Sequence, residues 1–286
     1  MLKAPYPELD DLLTMIGEAG RHLAEIEASE GAAGNISICL RWPVELRTRF
    51  PVISQIELPQ PVPELAGATF IVSGSGRRLR EIIDEPTANL ACIVVDEGGQ
   101  TGKLYTSYHR RFERVTSEFN SHLAVHYDQI CSTGTNFHAV VHAQPLHLTY
   151  FSHLPRYQDE VYFNRHLLRW QPETIVNLPE GIGIVPFLIP SSAALMQATT
   201  EALRRHRPEA VVINDLDDLH GVGALHGLAE FVVVHEDQAP MDLLEKVGFG
   251  QDAHAAAGII ENRKGVEGGG GRQSLGGGER LLDQVS

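Results

Sequence analysis

Positive charge is scarce in this chain: Lys and Arg together number 23 against 37 Asp and Glu, giving a formal net charge of −14 at pH 7. A surface of that sign repels nucleic acid and anionic membrane, both of which are recognised by clustered Lys and Arg. No nucleic-acid or membrane partner is expected, and any anionic ligand must be held locally. Cysteine is rarer still. Cys39, Cys92 and Cys131 form an odd set without CxxC spacing, which excludes a disulfide framework and leads us to expect buried, reduced thiols in a cytoplasmic protein. No apolar run approaches the roughly 20 residues needed to cross a bilayer. The opening MLKAPYPELDD has no apolar core of the signal-peptide kind.

What is present suits a packed enzyme-sized domain, since 43% of the 286 residues are hydrophobic. After Pro5 and Pro7, the residues Leu9, Leu12, Leu13, Ile16, Leu23 and Ile26 recur at helical spacing and predict an amphipathic helix ending before Gly31. Short β-rich runs follow at Asn35–Leu40, Thr69–Ser73, Leu90–Asp96, Lys103–Tyr108 and Ala139–His142, separated by Pro- and Gly-rich turns. Helices are predicted over Ser117–Ile130, Asp159–Trp170 and Ser191–His206, and Phe231-Val232-Val233-Val234 reads as strand. Strands that follow one another as well as alternating with helices favour a mixed, largely antiparallel sheet flanked by helices. Eight of the fourteen residues from Gly265 to Gly278 are glycine. Such a segment buries too little apolar surface to offset its ordering entropy. One folded unit over 1–262 and a disordered tail over 263–286 are therefore expected.

The densest chemistry lies between Val115 and Leu148. Thr116-Ser117-Glu118 opens a His-rich helix, with Thr116 or Ser117 available as its cap, and His142 sits on the apolar strand that follows. A carboxylate moves protons and a neutral imidazole holds a divalent metal, so the pair suggests metal-assisted proton chemistry on a carbonyl compound. Gln144 shares a strand face with His142 by two-residue alternation. His220-Gly221, after the acidic run Asn214-Asp215-Leu216-Asp217-Asp218, supplies a further candidate ligand. His109, His122, His126, His138, His147, His153 and His166 read individually as hydrogen-bonded core or surface histidines. Two glycine-bearing loops, Gly31-Ala32-Ala33-Gly34-Asn35 and Ser73-Gly74-Ser75-Gly76-Arg77, combine accessible backbone N–H groups with Ser, Asn and Arg donors. That combination makes an anion cradle. Neither loop is a Walker motif or a dinucleotide fingerprint.

Six separated motifs, AAGNISICL at 32–40, FIVSGSGRRLRE at 70–81, DEPTANL at 84–90, TSEFNSHLAVH at 116–126, VVHAQP at 140–145 and PEGIGIVPFLIP at 179–190, occur in this order. Together they resemble the class II, zinc-dependent sugar-phosphate aldolases, over about residues 31–213. The resemblance implies an α/β fold, a three-layer α/β/α sandwich with a central, mainly antiparallel sheet. It also implies retro-aldol cleavage of a ketose 1-phosphate such as L-rhamnulose 1-phosphate, with one Zn²⁺ per subunit. By the same resemblance, Glu118 matches the proton-transferring acid and His142 the first zinc ligand. Gly34, Asn35, Ser75, Gly76 and Ser117 match the substrate-phosphate contacts. Glu173 matches a carboxylate supplied across a subunit contact, which implies a homo-oligomer, a tetramer.

The chain departs from the family pattern twice. A second histidine is usual two residues after the first, where this chain has Gln144, whose amide oxygen is a poorer zinc ligand. Gln144 or His147 then serves beside His142 and His220. Past Ile213 the family's closing amphipathic helix is not recognisable, and a change of reading frame near codon 213 would account for that and for the glycine-rich end. Another sugar-phosphate aldolase, a pentulose-phosphate epimerase and an adducin-like protein with an incomplete metal site are the alternative readings.

Overall fold

The computed structural model describes residues 1–29, 31–167, 181–206, 210–213 and 230–236. Helices are α1 (Leu9–Glu25), α2 (Pro86–Asn89), α3 (Phe119–Thr133), α4 (Leu146–Ser152), α5 (Glu160–Leu167) and α6 (Ala193–His206). Strands are β1 (Asn35–Leu40), β2 (Val52–Glu57), β3 (Thr69–Ser73), β4 (Leu90–Val95), β5 (Thr101–Thr106), β6 (Phe137–Ala143), β7 (Gly183–Val185), β8 (Ala210–Ile213) and β9 (Glu230–Glu236). All of them join one sheet in the order β2-β5-β4-β3-β1-β6-β9-β8-β7. Every neighbouring pair is antiparallel except β7 with β8.

Both faces of the central strands are covered, and the sequence shows why. On β1, Ile36, Ile38 and Leu40 share one face with Phe137, Ala139 and Val141 of β6, and they pack with Leu12, Leu13, Ile16 and Leu23 of α1. Leu148 and Phe151 of α4 and Phe163 of α5 belong to the same apolar cluster. The opposite face carries Cys39, Phe70, Val72, Ala91 and Ile93 against Phe119, Leu123 and Ile130 of α3. Helix α6 closes that side through Leu195, Ala202 and Leu203, which meet Val125 and Val140. The expected three-layer arrangement is therefore the one observed. Each fully buried Leu or Ile contributes about 1.5–3 kcal/mol by leaving water. Gly17 and Gly20 let α1 lie directly on the 79–83 segment, because a Cβ at either would stand 2.6 Å from Ile83 Cα or 2.4 Å from the Leu79 carbonyl oxygen.

Most predicted elements stand within a few residues of their predicted ends, and the differences have local causes. The fourth run, expected over Lys103–Tyr108, begins instead at Thr101, because the turn after Asp96 returns the chain at once: Asp96 N–H donates to the Thr101 carbonyl at 3.0 Å. Helix α3 starts at Phe119 with no side-chain cap, rather than at Ser117 under a Thr or Ser cap, and it ends at Gly134 in the left-handed region (φ 71°). Strand β2 was not predicted. Among the described residues it is a sheet edge paired only with β5, so its residues are largely exposed and carry no apolar run. Helix α4 and the three-residue β7 were also missed, both being too short for a periodic signal. The expected disordered tail lies outside the described residues.

Candidate active site

Strand register brings the site together. Asn35 at the start of β1 lies opposite His142 near the end of β6. Two-residue alternation turns Asn35, Ser37 and Cys39 of β1, and His138, Val140 and His142 of β6, toward the α3 layer. Asn35 is set by Gly34, whose φ is +84° and whose absent side chain admits the neighbouring strand: a Cβ there would sit 2.7 Å from the His142 carbonyl oxygen. Gly34→Ala combines a left-handed backbone, about 1–2 kcal/mol for a residue with Cβ, with that backbone clash. The expected outcome is a lower Tm together with loss of the site, measured by calorimetry and activity on the same preparation.

Three segments converge here. Ile36 N–H donates to Ser73 Oγ at 3.1 Å, and Thr116 N–H donates to the Ser73 carbonyl at 3.0 Å. Gly74 pairs with Val115 across an isolated bridge. Glu118 follows immediately, at the N-cap position of α3. Its Oε2 lies 2.5 Å from His142 Nδ1 and accepts a 2.8 Å hydrogen bond from Asn35 Nδ2. Asn35 Nδ2 is also 2.9 Å from His142 Nδ1. Asn35 and His142 are buried and Glu118 is largely so.

An imidazole nitrogen and a carboxylate oxygen this close must share a hydrogen, so His142 Nδ1–H donates to Glu118. Burial by itself would raise the carboxyl. The charge and hydrogen bond of His142, the Asn35 amide and the field of His122 overcome it, and Glu118 is held well below the usual carboxylate range. It is therefore ionised at neutral pH. Loss of the Nε2 proton would leave His142 with its hydrogen on Nδ1, the tautomer in which a carboxylate orients a metal-binding imidazole.

The phosphate-loop candidates surround this pair unevenly. Gly74 N–H is spent on the Asn89 carbonyl at 2.8 Å, Ser75 N–H on the Arg114 carbonyl at 2.9 Å and Arg77 N–H on the Gly74 carbonyl at 3.3 Å. The cradle thus narrows to the half-buried Ser75 side chain and exposed Gly76, where φ is +70°. Arg77, expected to add a donor, does not face an anion. Its guanidinium donates to Asn89 Oδ1 at 2.7 Å and to Glu81 Oε2 at 2.6 Å, so it braces the turn instead. Ser117 is exposed beside Glu118.

Of the expected metal ligands, His142 is in the site. Half-buried Gln144 follows on the same chain, its N–H held by the Ala28 carbonyl at 2.8 Å. His147 falls in the first turn of α4, past Pro145. His220 and Glu173 lie outside the described residues. Among the described residues, no group of three His, Cys, Asp or Glu side chains is placed to hold a metal. Glu118, His142 and Gln144 fit a divalent cation in donor chemistry but do not by themselves complete its shell.

Sequence reasoning treated His122, His126 and His138 singly and passed over Ser37. The structure links them: Ser37 Oγ is 2.6 Å from His122 Nδ1 and 2.7 Å from His126 Nε2, and His126 Nδ1 is 2.7 Å from His138 Nδ1. The four-residue spacing of Glu118, His122 and His126, set against the like spacing of His138 and His142, was the available signal.

Known proteins share this architecture. A sequence profile of the Class II Aldolase and Adducin N-terminal domain matches residues 15–222. The rhamnulose-1-phosphate aldolase of Escherichia coli O81 (strain ED1a) is 32% identical over 156 residues, covering 53% of this chain and 54% of that protein. That of Klebsiella pneumoniae subsp. pneumoniae is 31% identical over the same length, again covering 53% and 54%. The chain thus spans about half the length of the curated relatives it matches. A sugar-phosphate aldolase from Thermotoga maritima superposes with a TM-score of 0.67 at 23% identity, covering 89% of this chain and 97% of that one. An L-fuculose-1-phosphate aldolase from Thermus thermophilus does so with a TM-score of 0.52 at 19% identity, covering 91% and 98%. At those identities the superpositions speak for the fold. With the profile matching well over half of its length, the chain belongs to the class II aldolase and adducin family.

Proposed function

We propose that this protein is a metal-dependent aldehyde-lyase that cleaves L-rhamnulose 1-phosphate to dihydroxyacetone phosphate and L-lactaldehyde. The observation that carries the reading is the Glu118 carboxylate, buried and ionised against His142 at 2.5 Å beside Asn35. Similarity to rhamnulose-1-phosphate aldolases over 156 residues supports the choice of sugar. Zn²⁺ is the proposed cofactor, held by His142 with Gln144 or His147 and with His220. When bound there, it supplies Lewis-acid stabilisation of the negative charge that carbon–carbon cleavage leaves on the three-carbon fragment.

The protein's own groups do the rest. Ser75, Gly76 and Ser117, with Asn35 and the backbone at Gly34, anchor the phosphate, so binding energy remote from the breaking bond fixes its orientation. Glu118 transfers the proton at the carbon of the three-carbon fragment. Ionised at rest, it removes that proton in the condensation direction; in cleavage it first takes up the proton released from the C4 hydroxyl and then delivers it to the carbon, as microscopic reversibility requires. Glu173, contributed by a neighbouring subunit of a homotetramer, assists at the aldehyde end. The free cysteines support placing the enzyme in the cytoplasm; among the described residues no helix is long and apolar enough to cross a membrane.

Metal content and a substrate panel test the reading. Purified protein is expected to carry about one zinc per chain, to lose ketose 1-phosphate cleavage on chelation and to regain it on zinc addition. Among L-rhamnulose, L-fuculose and L-ribulose phosphates, the first should be cleaved fastest. Epimerisation of the pentulose phosphate without cleavage would favour the epimerase alternative. A zinc-free protein inert toward all three would favour the adducin-like one.

A further inference from the structure

We infer that Ser37, His122, His126 and His138 form a chain of hydrogen-bonded groups that positions Glu118 over His142, with His122 as the positioning residue nearest the site. This rests on the functional reading above for its kinetic consequence but not for its geometry.

The geometry is a set of matched rungs. In the β1–β6 register, Asn35 faces His142, Ser37 faces Val140 and Cys39 faces His138. Advancing from Asn35 to Ser37 moves about 7 Å along a strand, and advancing from Glu118 to His122 moves about 6 Å along a helix on one face. Helix and strand therefore stay in step. Glu118 contacts the Asn35–His142 rung, His122 and His126 both contact Ser37 on the next, and His126 reaches His138 on the third. A slip of α3 by one residue would turn its side chains by about 100° and shift them about 1.5 Å, separating every rung at once. The apolar contacts of α3, with Phe119, Leu123 and Ile130 against β3 and β4, are less exacting about that register than three directional bonds.

The chain works only if its imidazoles are uncharged. His122, His126, His138 and Ser37 are all fully buried or nearly so. Burial, opposed by Glu118 and assisted by His142, pushes His122 down to about 3, while burial and the neighbouring imidazoles push His126 well below the ordinary histidine value. A neutral imidazole has one donor and one acceptor nitrogen. When the serine hydroxyl donates to one of its two histidines and accepts from the other, using its hydrogen within the chain, the bonds run in a single direction from His138 to His122 or back. Two tautomeric settings exist, and every member changes with the others. The open end is His122 Nε2, a buried atom with no hydrogen-bond partner among the described residues. It lies in the field of both Glu118 and His142, which ties the setting of the chain to the charges of the site.

The test compares Ser37→Ala, His122→Leu and His122→Asn with wild type, in crystal structures, histidine ¹⁵N spectra at neutral pH and kinetics with L-rhamnulose 1-phosphate. Asn keeps a polar amide near the position of Nδ1 facing Ser37. Wild type is expected to show one tautomer at His122 and at His126. Ser37→Ala and His122→Leu are expected to give mixed tautomers at the remaining imidazoles and a Glu118–His142 separation beyond about 3.5 Å. They should also lower kcat about 10- to 100-fold with KM nearly constant, and His122→Asn should restore most of it. Should Ser37→Ala fail to fold, the two His122 variants carry the comparison. A Glu118–His142 contact and kcat that survive both disruptive variants, even with a lower Tm, would overturn the inference and leave the chain merely structural. Wild-type protein that cleaves no ketose phosphate would sink the functional reading instead, while the structures and spectra still decide the positioning role.

Discussion

Glu118→Gln is expected to lower kcat for L-rhamnulose 1-phosphate cleavage by about 10²- to 10⁴-fold, the range associated with a positioned acid or base, while changing KM far less. The substitution is nearly isosteric, and the Gln carbonyl oxygen can still accept from His142 Nδ1 and from Asn35 Nδ2, the two donors that meet Glu118 Oε2. It removes basicity while keeping the packing. The buried charge also disappears, and its desolvation cost offsets much of the lost attraction, so Tm should move little. Steady-state kinetics beside a melting curve separates the outcomes. Undiminished cleavage removes Glu118 from its assigned role, and a kcat loss that merely tracks unfolding makes it part of the scaffold.

Acid is expected to destabilise the fold well before ordinary carboxylates protonate. His122, pushed down to about 3, and His126, also held well below its ordinary value, stay neutral inside the protein, whereas the unfolded chain binds protons on both near pH 6.5. A depressed folded value means the stabilisation is fully present above 6.5 and is lost as pH falls from there toward the folded values. Each histidine contributes about 1.4 kcal/mol per pH unit across that window. By about pH 4.5 His122 alone costs on the order of 3 kcal/mol, and His126 adds to the same loss. Glu118, also depressed, adds its own loss only below about 4.5, where the unfolded carboxyl begins to protonate. Urea unfolding at several pH values between 7.5 and 4.5 measures the slope, and a His126→Gln variant should flatten it. A level profile over that range would mean that the imidazoles are charged in the folded state.

Several features were readable from residues alone because their causes are local. The spacing of Leu9, Leu12, Leu13 and Ile16 follows the helical repeat, and α1 spans Leu9–Glu25. The apolar runs at 35–40 and 69–73 became β1 and β3 at the predicted bounds, since central strands buried on both faces must be continuously apolar or sparingly polar. Edge strand β2 had no such mark. The candidacy of Glu118 and His142 came from residue chemistry and motif order, but their 2.5 Å contact did not. That contact depends on the β1–β6 register and on α3 crossing both strands. Arg77 shows the converse. Its place after a glycine-rich turn suggested an anion donor, and only the fold revealed that Asn89 and Glu81 already occupy it.

Composition and periodicity by themselves determined a packed α/β chain of acidic surface, with a carboxylate at the head of a helix and an imidazole on a buried strand. They did so because solvation, helical repeat and strand alternation act over a few neighbouring residues. Tertiary structure alone decided that Asn35, Glu118 and His142, separated by 83 and 107 positions from the first, share one point, and that Ser37 joins His122 to His126, which reaches His138, behind them. Hydrogen bonds across such separations are fixed by sheet register and layer packing, which no local pattern encodes.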